Sequence, residues 1–205
     1  LHGALGDLHC VRLGTGAVVW RTNYYRDHEV KRLMWGSSSP PLIVDDMLII
    51  NPGARDASVV ALDRKTGRLI WKTPGHAAAY SAFVVGKLGG RRQVIGYDSA
   101  SLGGWDSATG VRLWEHVPHE GADFNVTTPL IHNGQLLLAT ENNATRLHRF
   151  DENGKLITKP ILSNLKLAPD TCSPVIVGDR VFATAYGEMY CLDMKDSMKT
   201  VWVVE

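Results

Sequence analysis

The chain has 205 residues, 44% hydrophobic and 21% charged, with 22 Lys and Arg against 21 Asp and Glu for a formal net charge of +1. That composition is ordinary for a globular domain and excludes collagen, coiled coil and outright disorder. The charge balance leaves no field for holding nucleic acid or an anionic membrane non-specifically. No apolar run approaches the roughly 20 residues a transmembrane helix needs. The three cysteines, Cys10, Cys172 and Cys191, are odd in number and never adjacent or in a CxxC. Neither a disulfide framework nor a zinc ribbon is therefore expected, and Cys172 with Cys191 is the one pairing left open.

In chain order, Cys10–Trp20 reads as strand, Thr15-Gly16 turn and strand ending in Trp. Ser39–Val44 and Met47–Ile50 form an apolar hairpin around Asp45-Asp46, and Ala61–Trp71 repeats the first pattern as ALDRKTGRLIW. Tyr80–Val85 and Gln93–Gly96 flank a glycine-rich turn at 86–90, followed by Gly104–Trp114 as GWDSATGVRLW. Thr128–Ile131 and Leu136–Leu138 flank Asn133-Gly134, followed by a degraded copy at His148–Thr158. Ser173–Val177 and Arg180–Thr184 flank Gly178-Asp179, and Cys191–Trp202 closes the series with one extra turn residue. Gly16, Gly67, Gly110 and Gly154 lie 51, 43 and 44 residues apart. Four short strands per period, joined by hairpins and without a 3.6-residue apolar rhythm, predict an all-β β-propeller of four-stranded antiparallel blades. The blades are expected at 39–73, 80–117, 127–160 and 172–205, with 1–23 supplying the last two strands of a preceding blade, all in one propeller domain.

The string Ala61-x-Asp63-x-x-Thr66-Gly67-x-x-x-Trp71 resembles the tryptophan-docking repeat of the quinoprotein-type, pyrroloquinoline-quinone-like propellers. That family includes the dehydrogenases, the lipoprotein scaffold of the outer-membrane assembly machine and exported bacterial propellers. The copy at 104–114 keeps Asp, Thr-Gly and Trp; Arg12 replaces the Asp in the first copy, and Thr158 stands where the fourth should have Trp. Eight blades close the ring in such relatives, so this chain resembles about half of one, and the remaining blades or an associating partner are expected to cover its open inter-blade face. The resemblance implies that Trp20, Trp71, Trp114 and Trp202 dock onto neighbouring blades. It also implies a periplasmic or exported location.

Asp63 and Asp106 are placed to accept backbone N–H groups from the following turn, and Gly67 and Gly110 to take positive φ. Recurrence with the fold period makes the four tryptophans packing residues rather than cofactor walls. Trp35 and Trp105 stand outside the pattern. Trp35 is a loop anchor or a pocket wall, and Trp105 takes the Leu or Val position of a third strand.

Propellers place function on the loops at one end, because their strands are committed to packing. The blade-to-blade connections carry Tyr24, Tyr25, Arg26, Trp35, His76, Tyr80, His116, His119, Glu120, Asp123 and Asn125, and the loop at 141–145 adds Glu141 and Asn142; these are the binding-face candidates. His116-Val-Pro-His119-Glu120 is the nearest approach to a metal signature, but Pro118 forbids a helix and no third ligand has diagnostic spacing, so no metal is expected. Asn125-Val-Thr127 and Asn143-Ala-Thr145 are sequons relevant only to a eukaryotic secretory pathway. HExxH, P-loop and GxSxG motifs are absent from the sequence. The expectation is a non-enzymatic domain that presents loops to a protein, peptide or polysaccharide in the bacterial envelope, with no cofactor. The alternative is a dehydrogenase using pyrroloquinoline quinone and calcium. The family's enzymes carry a vicinal disulfide, and this chain has no Cys-Cys.

Overall fold

The computed structural model describes residues 1–121 and 123–205. Its strands form four four-stranded antiparallel sheets and one two-stranded sheet. The pair is β1 (Asp7–Val11) with β2 (Val18–Asn23), followed by the short helix α1 (Tyr24–Asp27). The first full blade is β3 (Leu42–Val44), β4 (Met47–Ile50), β5 (Val59–Asp63) and β6 (Leu69–Thr73). The second is β7 (Val84–Leu88), β8 (Arg91–Tyr97), β9 (Leu102–Asp106) and β10 (Arg112–His116). The third is β11 (Leu130–His132), β12 (Gln135–Thr140), β13 (Ala144–His148) and β14 (Leu162–Asn164). The last is β15 (Val175–Val177), β16 (Arg180–Ala185), β17 (Glu188–Asp193) and β18 (Lys199–Val204). In every blade the strands pair in sequence order, the up-and-down arrangement of a propeller blade.

Successive residues of a strand face opposite sides of its sheet, and both sides are buried where a blade has two neighbours. Val60 and Leu62 join Leu8, Tyr24 and Tyr25 in one apolar cluster, while Val59 and Ala61 join Phe83, Val94 and Trp105 in the next. Leu136 and Leu138 pack with Ile95 and Trp114, and Leu137 packs with Val181 and Leu192. The described residues thus form four cores, one at each blade-to-blade contact. The outer strand of the last blade is exposed, with Val201, Val203 and Val204 open to solvent and Trp202 38% exposed beside Phe182.

The repeat turns explain their own sequence. Asp63 Oδ1 accepts hydrogen bonds from Lys65 N (3.0 Å), Thr66 N (2.7 Å) and the Thr66 hydroxyl (2.8 Å). Asp106 repeats the set with Ala108 N, Thr109 N and Thr109 Oγ1. Gly110 has φ +73° and its Cβ position lies 2.3 Å from Trp71 Cε3, so the turn is also the floor on which the preceding blade's indole rests. Trp20 lies over Gly67 in the same way and donates its Nε1–H to Arg64 O at 3.0 Å. A register shift sits next to each of Trp20, Trp71, Trp114 and Trp202, a β-bulge that turns the outer strand across the neighbouring blade.

The third blade departs from the expected bounds. Its turn at 151–154 survives, with Asp151 Oδ1 accepting Asn153 N and Lys155 N. The chain then makes an isolated Phe150–Leu156 bridge and forms its outer strand only at Leu162–Asn164. Thr158 therefore lies on an exposed detour instead of an outer strand. Without an indole to fold back, nothing draws the segment after the turn into the ladder at once. The second and third blades are joined by a different device: Trp114 Nε1 donates to Gln93 Oε1 at 2.7 Å, and Gln93 Nε2 donates to Gly154 O at 2.7 Å and Leu88 O at 3.1 Å.

Candidate functional site

Each blade-to-blade connection is tied to the next at one end of the propeller. Ser38 Oγ donates to Tyr80 O, Ser81 N to Asn125 O, and Thr128 N to Ser173 Oγ. This belt forms a pocket of about 420 Å³ lined by Trp35, Ser38, Tyr80, Phe124, Val126, Glu141, Asp170 and Thr171, which takes residues from all four connections. Trp35 and Tyr80 have ring centroids 5.3 Å apart and tilted, and Phe124 meets the Trp35 ring edge-on at 5.0 Å. Such offset and edge-to-face contacts are the arrangements aromatic rings prefer. Trp35 is 57% exposed and Phe124 52% exposed, a mutually supporting aromatic surface that polar residues rim. Trp35 is thus a pocket wall. Phe124 was not among the sequence candidates, since a lone Phe in a polar loop carries no pattern to mark it.

The remaining candidates separate into several places. Tyr24 and Tyr25 are buried in the first core, a correction to their place on the binding face. The turn of α1 tucks both rings inward, Tyr24 onto His2 and Ser37 and Tyr25 edge-on to Tyr24. Asn125 is buried too, because its Nδ2 donates to Asp98 O at 3.1 Å across to the second blade. Both sequon amides are occupied within the fold, that of Asn143 by Glu120 O and Asp123 Oδ2. Trp105 is buried against Phe83, with the Arg112 guanidinium 5.1 Å above its ring. Arg26 is exposed and paired with Asp27 at 3.2 Å. His76 is exposed 3.6 Å from Glu115.

His116, His119, Glu120 and Asn142 line a separate groove of about 480 Å³ between the second and third blades, together with Arg146 and His148. His119 Nδ1 lies 2.7 Å from Glu120 Oε1, and both are exposed. The other acids hold loop backbone: Asp123 Oδ1 accepts Asn142 N at 2.8 Å, and Glu141 Oε1 accepts Phe124 N at 2.9 Å. Burial, and next the Arg146 charge, pushes the His116 pKa down; burial pushes that of His148 down to about 4. Burial also lowers the pKa of Arg146.

Calcium needs six to eight oxygens converging on one point. Glu141 and Asp123 are each committed to a backbone amide, and Glu120 faces His119. Among the described residues no three His, Cys, Asp or Glu side chains group to hold a metal. The three cysteines are free, Cys191 buried and Cys172 exposed. The residues present do not fit a calcium–quinone site.

The family model for the outer membrane protein assembly factor BamB, a pyrroloquinoline-quinone-type repeat model, matches residues 4–205. The chain belongs to that family. Among solved structures it is similar to the computationally designed Ika8 protein, with TM-score 0.67 and 16% identity over 98% of this chain and 56% of that one. The designed Ika4 protein gives TM-score 0.51 and 18% identity over 71% of this chain and 81% of that one. A europium-containing methanol dehydrogenase gives TM-score 0.53 and 13% identity over 96% of this chain and 47% of that one. At these identities the likeness shows the fold: a partial β-propeller spanning about half the length of Ika8 and of the methanol dehydrogenase. No curated protein matches the chain. The family description associates BamB with the cell envelope, and no helix is long and apolar enough to cross a membrane among the described residues.

Proposed function

We propose that this propeller domain is a non-enzymatic binding module of the bacterial cell envelope, and that its Trp35–Tyr80–Phe124 pocket takes an extended protein segment bearing aromatic or aliphatic side chains. The observation that carries the reading is the pair of half-exposed rings, Trp35 and Phe124, held against each other by connections from different blades. Rigid aromatic surface offers large contact area at little cost in side-chain entropy, and an exposed apolar patch with a polar rim marks interaction sites on soluble domains. Family membership supports a protein partner. We propose no resident cofactor, since the acids that would bind calcium are engaged by backbone amides.

The test uses a synthetic peptide of about ten residues with alternating aromatic and polar positions, the pattern of an outer-membrane strand. Titrated into the chain, it should bind saturably. Trp35→Ala with Phe124→Ser should weaken binding at least tenfold with little change in melting temperature. Undiminished binding by the double variant, or none by the parent chain, overturns the reading.

A further inference from the structure

The groove between the second and third blades occupies positions that the first and last blades give to their cores. In the first full blade Leu48 pairs with Leu62 and Ile50 with Val60, and both partners are buried apolar residues. In the last, Val181 pairs with Leu192 and Ala183 with Tyr190, again core residues. At the same register of the third blade, Leu136 pairs with His148 and Leu138 with Arg146. A guanidinium and an imidazole thus stand two residues apart on one face of β13 where the first and last blades place apolar side chains, and they face the end of β10. Burying polar groups costs free energy unless they find partners.

The partners are incomplete. His148 is 1% exposed, and its Nδ1–H donates to Ile157 O at 3.0 Å. In the neutral ring that bond puts the proton on Nδ1, leaving Nε2 as an acceptor. His148 Nε2, Arg146 Nε and His116 Nε2 are all buried without a hydrogen-bond partner among the described residues. Arg146 reaches Thr140 Oγ1 only through Nη2, at 3.4 Å, and the His116 and His148 rings lie 5.8 Å apart. Buried groups of this kind are satisfied in native proteins by protein, water or ligand. The groove's volume of about 480 Å³ lies within the roughly 300–1,000 Å³ of small-molecule pockets.

We propose that this groove binds a small carboxylate carrying an adjacent hydroxyl, with a carboxylate oxygen accepting from Arg146 Nε–H and the hydroxyl donating to His148 Nε2. One fixed positive charge, with Glu120 at the rim, suits a monoanion better than a phosphate dianion. The same guanidinium disfavours a metal, and no three His, Cys, Asp or Glu side chains among the described residues group to hold one. A fixed-tautomer acceptor beside a cation selects a ligand that both donates and carries negative charge, which a hydroxycarboxylate does and a plain carboxylate does not. The detour of the third blade supplies the outer wall through Thr158 and Pro160.

Calorimetry on the whole chain tests this with D-gluconate, against propionate for the charge alone and glucitol for the hydroxyls alone. Gluconate should saturate one site at least tenfold more tightly than either control. Arg146→Met and His148→Phe should each weaken it at least tenfold, and Trp35→Ala should leave it unchanged, which separates this site from the aromatic pocket. Should either groove variant fail to fold, the imidazole proton resonances of His116 and His148 in the parent chain provide the readout, shifting with gluconate and not with glucitol. Absence of saturable binding, equal affinity for propionate or glucitol, binding that survives both substitutions, or unmoved histidine resonances each overturn the proposal.

Discussion

The repeat turn at 61–71 and its degraded counterpart at 148–158 share a glycine followed by a basic residue, Leu and Ile, and end as different structures. In the first, Asp63 holds the turn, Gly67 lets Trp20 rest on it, and Trp71 crosses to rest on Gly110, so side chains of local origin join three successive blades. In the second, Asp151 still holds the turn, but the outer strand waits until Leu162 and the blade contact passes to Gln93. Between the first and second full blades, where the repeat is regular, the space is filled with apolar side chains. Where it breaks, a groove opens and shows polar groups that the regular register would have made core. The comparison teaches that the strict repeats carry the fold, and that departures from them are the places to look for binding.

The largest effect that tests this contrast is expected at the docked indoles. Trp71 and Trp114 are each only 8% exposed, and truncating a buried Trp costs about 3–5 kcal/mol. Trp71→Ala and Trp114→Ala should therefore lower stability to chemical denaturation strongly. Indifference at Trp71 would mean that docking does not join the blades.

Next in size is the device that replaces direct docking. Gln93→Leu keeps the volume but strips partners from Trp114 Nε1 and the carbonyls of Leu88 and Gly154. Leaving such groups unsatisfied should cost on the order of 2 kcal/mol, measured by urea unfolding. A neutral result would show that the second and third blades are held by apolar contact alone.

A pH profile separates the two regions more finely. Because the His148 pKa is pushed down to about 4, the unfolded chain binds a proton in the window between the ordinary histidine value of about 6.5 and about 4 while the folded chain does not. Its contribution is fully present above 6.5 and is lost as pH falls to about 4. His148→Phe should flatten the stability decline in that window. The regular turns respond lower down. The Thr66 hydroxyl and backbone hold the Asp63 pKa below its usual value. For Asp106 burial raises the pKa, but the bonds from Thr109 and Ala108 outweigh it and leave it lowered. Their stabilisation is present above the ordinary carboxylate range and is lost as pH falls through the depressed values. An unaltered profile in the His148 variant would show that the groove does not hold that imidazole neutral.

The smallest effect belongs to Thr158→Ala. An exposed residue on the detour should change stability by no more than about 0.5 kcal/mol. A loss there equal to that at Trp71 would erase the distinction between regular and broken repeats.

The sequence by itself determined the blade period, the strand pairing within the blades apart from the third blade's displaced outer strand, and the turn chemistry, because all three are local. Two-residue alternation, an Asp accepting from the next few amides and a glycine at positive φ require no knowledge of the rest of the chain. Tertiary structure decided which face of each strand meets which neighbour, and with it the fate of the site candidates. Tyr24, Tyr25 and Asn125 read as loop residues but turn inward, the two tyrosines into the core they share with Val60 and Leu62 of the first full blade, and Asn125 through its bond to Asp98 O. Phe124 reads as an ordinary loop residue but is held outward against Trp35. Arg146 and His148 stand on the face that the first full blade fills with Val60 and Leu62, and the degraded turn alone does not disclose that register. Whether a polar residue in a strand is solvated or buried without a partner depends on the blade packed against it, a contact between segments dozens of residues apart.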